Sequence, residues 1–182
     1  MQESDDPLHR QLWAPWRLAY IKPDAPAESP ARRSLSLLPG GDAECFVCRA
    51  VADTADRENL VVGRGLHTVC VLNRYPYNNG HLLIAPKLHK ARLDDLSSEE
   101  QLECVEQLAA YVVRLERLVA AQGFNIGLNL GRVAGAGLPG HLHWHIVPRW
   151  QGDTNFMPAL AGVRVIPQAL DALWELLRLQ NP

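Results

Sequence analysis

No stretch of the 182 residues approaches the roughly 20 consecutive apolar residues that a membrane-crossing helix requires, so no bilayer span is expected. The opening residues Met1 to Asp6 are polar and acidic, without an apolar run behind a basic start, and do not resemble a secretory signal. Basic charge is not in excess either: 18 Lys and Arg stand against 20 Asp and Glu, for a net charge of −2. A broad positive field for coating nucleic acid is therefore missing, while a small anion held by local donors remains open. Cysteine is scarce. Only four occur, two of them paired as Cys45 and Cys48, which is no disulfide framework and points to a cytoplasmic protein. There is no internal repeat, and the 47% hydrophobic content suffices for one domain with a core.

Among the residues that are present, an aromatic segment from Leu12 to Ile21 reads as an arm that packs on the domain, and Pro23 to Gly41 reads as a linker. Asn59 to Val62 and Leu66 to Leu72 are β-rich runs around a Gly63-Arg64-Gly65 turn, and His81 to Ala85 follows a turn-rich loop as a third strand closed by Pro86. Ser97-Ser98-Glu99-Glu100 has the form of a capping box. It opens a long helix whose apolar stripe is Leu102, Val105, Leu108, Ala109, Val112, Leu115 and Val119, with Cys104 one residue off it and Gly123 as the stop. Phe124 to Leu130 is expected to be a fourth strand, Arg132 to Gly140 a glycine-rich loop, and the histidine-rich run after it a fifth strand. Pro167 then precedes Leu170, Leu173, Trp174 and Leu177 at helical spacing. The expected fold class is α+β, a mostly antiparallel five-stranded sheet with one long helix and a C-terminal helix.

The chemistry gathers at Gly140 to Trp150, where His141, His143 and His145 alternate with Leu142, Trp144 and Ile146. Strand alternation puts the three imidazoles on one face, with Trp144 opposite. Gly131, Gly135, Gly137 and Gly140 lie just before them, and a glycine-rich loop brings backbone N–H groups close to a phosphate. Amide donors beside a nitrogen nucleophile suggest phosphoryl chemistry, because a neutral imidazole attacks phosphorus near pH 7 without a separate base. Cys45-x-x-Cys48 has the spacing of half a zinc site.

At this level of detail the chain resembles the histidine triad (HIT) superfamily of nucleotide hydrolases and transferases. His141 to Val147 follows the pattern of alternating histidine and apolar residues at every position. Leu72-Asn73-Arg74, Pro76 and Gly80 to Pro86 are similar to the nucleoside-binding strand and loop, and Asn125 to Asn129 to the strand before the phosphate loop. The resemblance covers roughly residues 45 to 158, flanked by an arm and linker at 1 to 44 and a helical tail at 159 to 182; the tryptophan-rich arm points to the bacterial diadenosine polyphosphate phosphorylase/hydrolase-like branch.

The resemblance implies an enzyme that acts on dinucleoside polyphosphates or related adenylyl compounds. His143 would be the nucleophile, forming a covalent nucleotidyl-histidine, and His145 would contact the phosphate or the leaving oxygen, with His141 completing the triad. Asn73 would bind the ribose and Asn129 a phosphate oxygen, with His81 behind the triad and Leu72 and Ile84 as walls of the purine pocket. Gly137 stands where many relatives carry Gln, Ser or Thr, and has only its backbone N–H to offer the leaving group. A structural Zn2+ would be held by Cys45, Cys48, His89 and His141. The expected partners are an adenosine-containing nucleotide and a second copy of the chain, with neither nucleic acid nor membrane. Two other readings stand beside this one: a hydrolase whose catalytic zinc is held by all three triad histidines, and a nucleotide sensor without turnover.

Overall fold

Five short runs dominated by Val, Leu and Ile assemble into one antiparallel sheet in the computed structural model, which describes residues 34–153 and 168–179. In chain order the elements are α1 (Phe46–Ala52), β1 (Val61–Arg64), β2 (Thr68–Leu72), β3 (Leu82–Pro86), α2 (Ser98–Val119), β4 (Gly123–Leu128), β5 (Trp144–Arg149) and α3 (Leu170–Leu179). The strands lie in the order β1-β2-β3-β5-β4 with every neighbouring pair antiparallel. This is the α+β architecture expected. The chain divides into two compact units, and the unit that carries the sheet comprises Leu35–Gln151 and Ile166–Pro182. The aromatic arm and Pro167 lie outside the described residues, among which no helix is long and apolar enough to cross a membrane.

The long helix begins as its capping box dictates: the Ser97 side chain accepts from the Glu100 N–H, and the Glu100 carboxylate accepts from the Ser97 N–H at 2.7 Å. Its buried face differs from the expected stripe. Glu100, Cys104, Leu108, Tyr111 and Leu115 point inward, whereas Leu102 and Val105 are 60% and 56% exposed. Both sets have helical spacing, and tertiary fit decides between them. Lys90 Nζ meets the Glu100 carboxylate at 2.6 Å, which makes an acidic residue tolerable on the inner face. Gly63 leaves room for the Tyr111 ring, since a Cβ there would collide with the Tyr111 hydroxyl. Cys104 therefore belongs to the core, and burial pushes its thiol up to about 11. The helix also stops earlier than Gly123. Ala120 takes the left-handed conformation at φ 51° and caps it, while Gly123 opens β4 opposite Arg149.

The first hairpin is displaced in the same way. β1 runs on through Gly63 and Arg64, with an irregular register between Val61 and Gly63, and the reversal falls at residues 65–67. The Glu103 carboxylate of α2 holds it there, accepting from the His67 and Thr68 N–H groups and, at 2.6 Å, from the Thr68 hydroxyl. Burial pushes the Glu103 carboxyl up, but the Thr68 hydroxyl and the two backbone donors outweigh it and hold the group below the usual carboxylate range. A depressed folded-state value contributes stability above the unfolded value, lost as pH falls through the folded one. Glu103→Ala is accordingly expected to lower the unfolding free energy by about 2 kcal/mol at pH 7. Urea titrations at pH 7 and pH 3 should show the difference shrinking at the lower pH.

The expected C-terminal helix is present and packs on the core: Leu173 and Leu177 are buried, and the Trp174 indole N–H donates to the Val61 carbonyl at 2.9 Å. α1, which has no periodic signal in the sequence, starts at Cys45, whose Sγ accepts from the Cys48 N–H.

Candidate active site

Strand pairing sorts the side chains into two faces. His145 stands opposite Leu83, which stands opposite Val71, so these three share a face; Ile146, Leu82 and Leu72 share the other, as do Trp144 and Ile84. Leu72 and Ile84, expected as purine-pocket walls, are thus buried on the side away from His145, 1% and 0% exposed in the core. Val71 and Leu83 occupy the histidine face in their place. The parity of Asn73 and His81, one residue beyond β2 and one before β3, carried that signal.

Only part of the triad is strand. β5 begins at Trp144, so His141 and His143 precede it in an extended segment pinned by the Leu142 N–H to the Lys90 carbonyl at 2.7 Å. His143 is 8% exposed and lies edge-on to His145, with ring centroids 5.0 Å apart. Its Nδ1 lies 2.8 Å from the His141 backbone carbonyl, which can only accept, so Nδ1 carries the proton and the Nε2 lone pair is uncommitted to that bond. The second imidazole is set by a longer relay. The Tyr77 N–H donates to His81 Nδ1 at 3.0 Å, which puts the His81 proton on Nε2; that nitrogen donates to His145 Nδ1 at 2.9 Å, leaving the His145 proton on Nε2. One ring therefore presents a lone pair and its neighbour a donor.

Burial holds the three triad imidazoles in the neutral form. It lowers His141 to about 4, against a raising contribution from the Pro86 carbonyl, and lowers His145 to about 4 with help from His143. His143 is also shifted down by burial, opposed by the His141 carbonyl.

The remaining expected residues surround this pair. His81 is fully buried behind His145, and Asn73 Nδ2 lies 3.3 Å from its ring while Asn73 Oδ1 accepts from the Tyr75 N–H. The Tyr77 ring, which the sequence did not single out, stacks on His145 with a centroid separation of 6.0 Å. Asn129 is half-buried at the start of the glycine loop, where Gly131 and Gly135 take φ of 78° and 88°. The backbone N–H groups of Ala134, Gly135, Ala136 and His141 bond within the loop. Those of Gly137, Leu138 and Gly140 have no acceptor among the described residues. Trp150 is anchored away from this cluster, its indole N–H donating to the Val119 carbonyl.

His141 faces elsewhere. Its Nε2–H donates to the Pro86 carbonyl at 2.8 Å, which turns the unprotonated Nδ1 toward Cys45 Sγ at 3.3 Å and Cys48 Sγ at 3.6 Å. His89 Nδ1 lies 3.2 Å from Cys48 Sγ, and the four ligand atoms all fall within 4.8 Å of one another. Two thiols and two imidazoles with one lone pair already oriented fit a four-coordinate zinc, with the Pro86 carbonyl as the outer partner that orients a ligating histidine. Burial and the neighbouring thiol push Cys45 up to about 12, so without a cation the Cys45 thiol keeps its proton. It is the one such group found among the described residues, and neither His143 nor His145 belongs to it. The triad rings thus have three different partners, which does not match a catalytic metal shared by all three.

A HIT domain model matches residues 55–152, more than half of the chain. The protein is 40% identical over 165 residues, 91% of its own length and 80% of the relative's, to a protein of Mycobacterium tuberculosis named AP-4-A phosphorylase. Among solved structures it resembles a zinc-bound histidine triad family protein from Mycobacterium smegmatis, with 29% identity, a TM-score of 0.55, and coverage of 76% and 94% of the two chains. A protein from Sulfolobus tokodaii described as a hypothetical histidine triad nucleotide-binding protein matches at 26% identity and a TM-score of 0.59 over 74% and 89% of the two chains. With the family model, the 40% identity and the alternating histidines all in agreement, the chain belongs to the histidine triad (HIT) family.

Proposed function

We propose that this chain is a nucleotidyl-transferring enzyme that opens dinucleoside polyphosphates, diadenosine tetraphosphate being the test substrate, through a covalent intermediate on His143. The observation that carries the reading is the tautomer pair: a buried neutral imidazole with its Nε2 lone pair available, 5.0 Å between centroids from a ring whose Nε2 bears a proton. His143 Nε2 attacks the α-phosphorus, the P–O bond to the remaining phosphates breaks, and ATP leaves with the charge of its departing oxygen met by His145 Nε2–H. An acceptor then attacks the nucleotidyl-histidine and restores the lone pair. The N–H groups of Gly137, Leu138 and Gly140 would meet the equatorial oxygens together with Asn129. Asn73 would hold the ribose, and Val71 and Leu83 would offer the apolar surface beside the base. His81 would act through His145 by keeping its proton on Nε2.

The 40% identity to a protein named AP-4-A phosphorylase favours inorganic phosphate over water as acceptor. Zinc in the Cys45, Cys48, His89 and His141 cluster would close all four positions and serve structure, tying α1 to the backbone that positions His143. The chain is proposed to work as a cytoplasmic homodimer. Among the described strands β4 lies at the edge of the sheet, with Ile126 46% exposed, a ladder that a second copy would pair. Incubation of diadenosine tetraphosphate with and without inorganic phosphate tests the reaction. ADP plus ATP, formed only with phosphate, is the expected result; AMP plus ATP in both would make water the acceptor, and no turnover of the dinucleotide would refute the substrate class.

A further inference from the structure

One peptide unit beside His143 is held at both ends. The His141 carbonyl accepts from His143 Nδ1–H at 2.8 Å, and the N–H of the same unit, that of Leu142, donates to the Lys90 carbonyl at 2.7 Å. An amide whose N–H is already donating is the stronger acceptor at its carbonyl, so the second bond reinforces the first. The place of Lys90 therefore bears on the place of the His143 ring. Lys90 lies in the connection from β3 to α2, whose only regular structure is a single 3-10 turn at Leu93–Asp95. Its side chain supplies a fixed point there, because Nζ meets Glu100 Oε2 at 2.6 Å. That oxygen also accepts from the Ser97 N–H at 2.7 Å, which makes it part of the cap of a 22-residue helix. The Glu100 side chain is 6% exposed. Burial pushes its carboxyl up, but the Lys90 ammonium and the Ser97 N–H outweigh that and hold it below the usual carboxylate range.

We propose that Lys90 and Glu100 are positioning residues for His143: their salt bridge fixes the Lys90 carbonyl, and that carbonyl fixes the peptide unit that orients the His143 ring. This rests on the reading of His143 as the site of attack. The N-terminus of α2 thereby sets the aim of the Nε2 lone pair, although no residue of the helix touches the ring's reacting atom. The route runs through two backbone carbonyls, those of Lys90 and His141, and not through the imidazoles of His89 and His141 that face the thiols. A ring released from this hold swings off the line of attack on phosphorus, and in-line displacement is sensitive to such misplacement. The contacts assigned to Asn73, Val71 and Leu83 stay in place. The loss therefore falls on kcat and spares nucleotide binding.

Lys90→Met keeps the aliphatic stem and removes the charge, and Glu100→Gln keeps a side chain able to complete the capping box. In the full-length, zinc-loaded protein each is expected to lower kcat for diadenosine tetraphosphate about ten-fold, with AMP affinity and zinc content unchanged. Lys90→Arg should restore most of the rate, and the double variant should lose little more than Lys90→Met, because both changes break one link. Nitrogen-15 NMR of the histidine rings reads the same link without substrate: the His143 Nδ1–H resonance, sharp in the wild type, should broaden or exchange faster in both variants. Glu103→Ala, on the same helix but bonded to the first hairpin, is the control for lost stability and should leave kcat and this resonance as they are. An unchanged resonance or an unchanged kcat in both Lys90→Met and Glu100→Gln would overturn the inference and leave the catalytic reading standing. So would an equal fall in kcat in Glu103→Ala, or zinc lost from the variants in step with turnover. A wild type that does not turn over the dinucleotide would instead overturn the reading of His143, and this inference with it.

Discussion

Replacing His143 by alanine is expected to lower turnover of diadenosine tetraphosphate by about 10,000-fold or more, because the atom proposed to bond to phosphorus is removed outright. His145→Ala should cost less, about 100- to 1,000-fold, since it removes one donor from a developing charge while the attack itself remains possible. The ordering follows from the hydrogen bonds: the His141 carbonyl fixes the proton of His143 on Nδ1, and the His81 relay fixes that of His145 on Nε2. Steady-state kinetics of the two variants, with circular dichroism to verify folding, measures it. Equal losses in both would mean that the two rings do one shared job, and would favour the catalytic-zinc alternative.

The second large effect concerns the metal cluster. The purified protein is expected to contain one zinc per chain, and Cys45→Ser or Cys48→Ser to lose it. Zinc bound by a folded site and poorly by an unfolded chain stabilises by linkage, so its loss should lower the unfolding free energy by about 3 kcal/mol or more. Turnover should fall by about 10- to 100-fold rather than vanish, the scale typical of removing an orienting partner. The link is short: the His141 side chain faces the thiols, and the carbonyl of the same residue holds His143 Nδ1–H at 2.8 Å. Elemental analysis, chelator-treated unfolding curves and residual turnover test these together. Complete loss of turnover with little loss of stability would mean that the metal takes part in the chemistry.

Features fixed by spacing within the chain are legible in the amino-acid sequence alone. The alternating histidines, the Gly80-His81 strand and the capping box at Ser97 all depend on neighbours a few residues away. The cluster of Cys45 and Cys48 with His89 and His141 spans much of the chain, and its second half is legible only through the family resemblance. Features fixed by tertiary pairing leave no such mark. Leu82-Leu83-Ile84 is apolar on both faces, so alternation shows no parity, and the pairing of β3 with β5 decides that Leu83 rather than Ile84 shares the side of His145. The inner face of α2 is set by a salt bridge from Lys90 and by the space above Gly63, neither of which leaves a periodic trace. The short α1 offers too few turns to show a period at all.

The most direct measurement is intact-protein and peptide mass spectrometry after rapid quenching of the enzyme with diadenosine tetraphosphate under phosphate-free conditions. A mass increase of one adenylyl group, acid-labile and mapped to His143, is the expected result. Turnover that proceeds with no adduct, or with an adduct on a different residue, would contradict attack by His143.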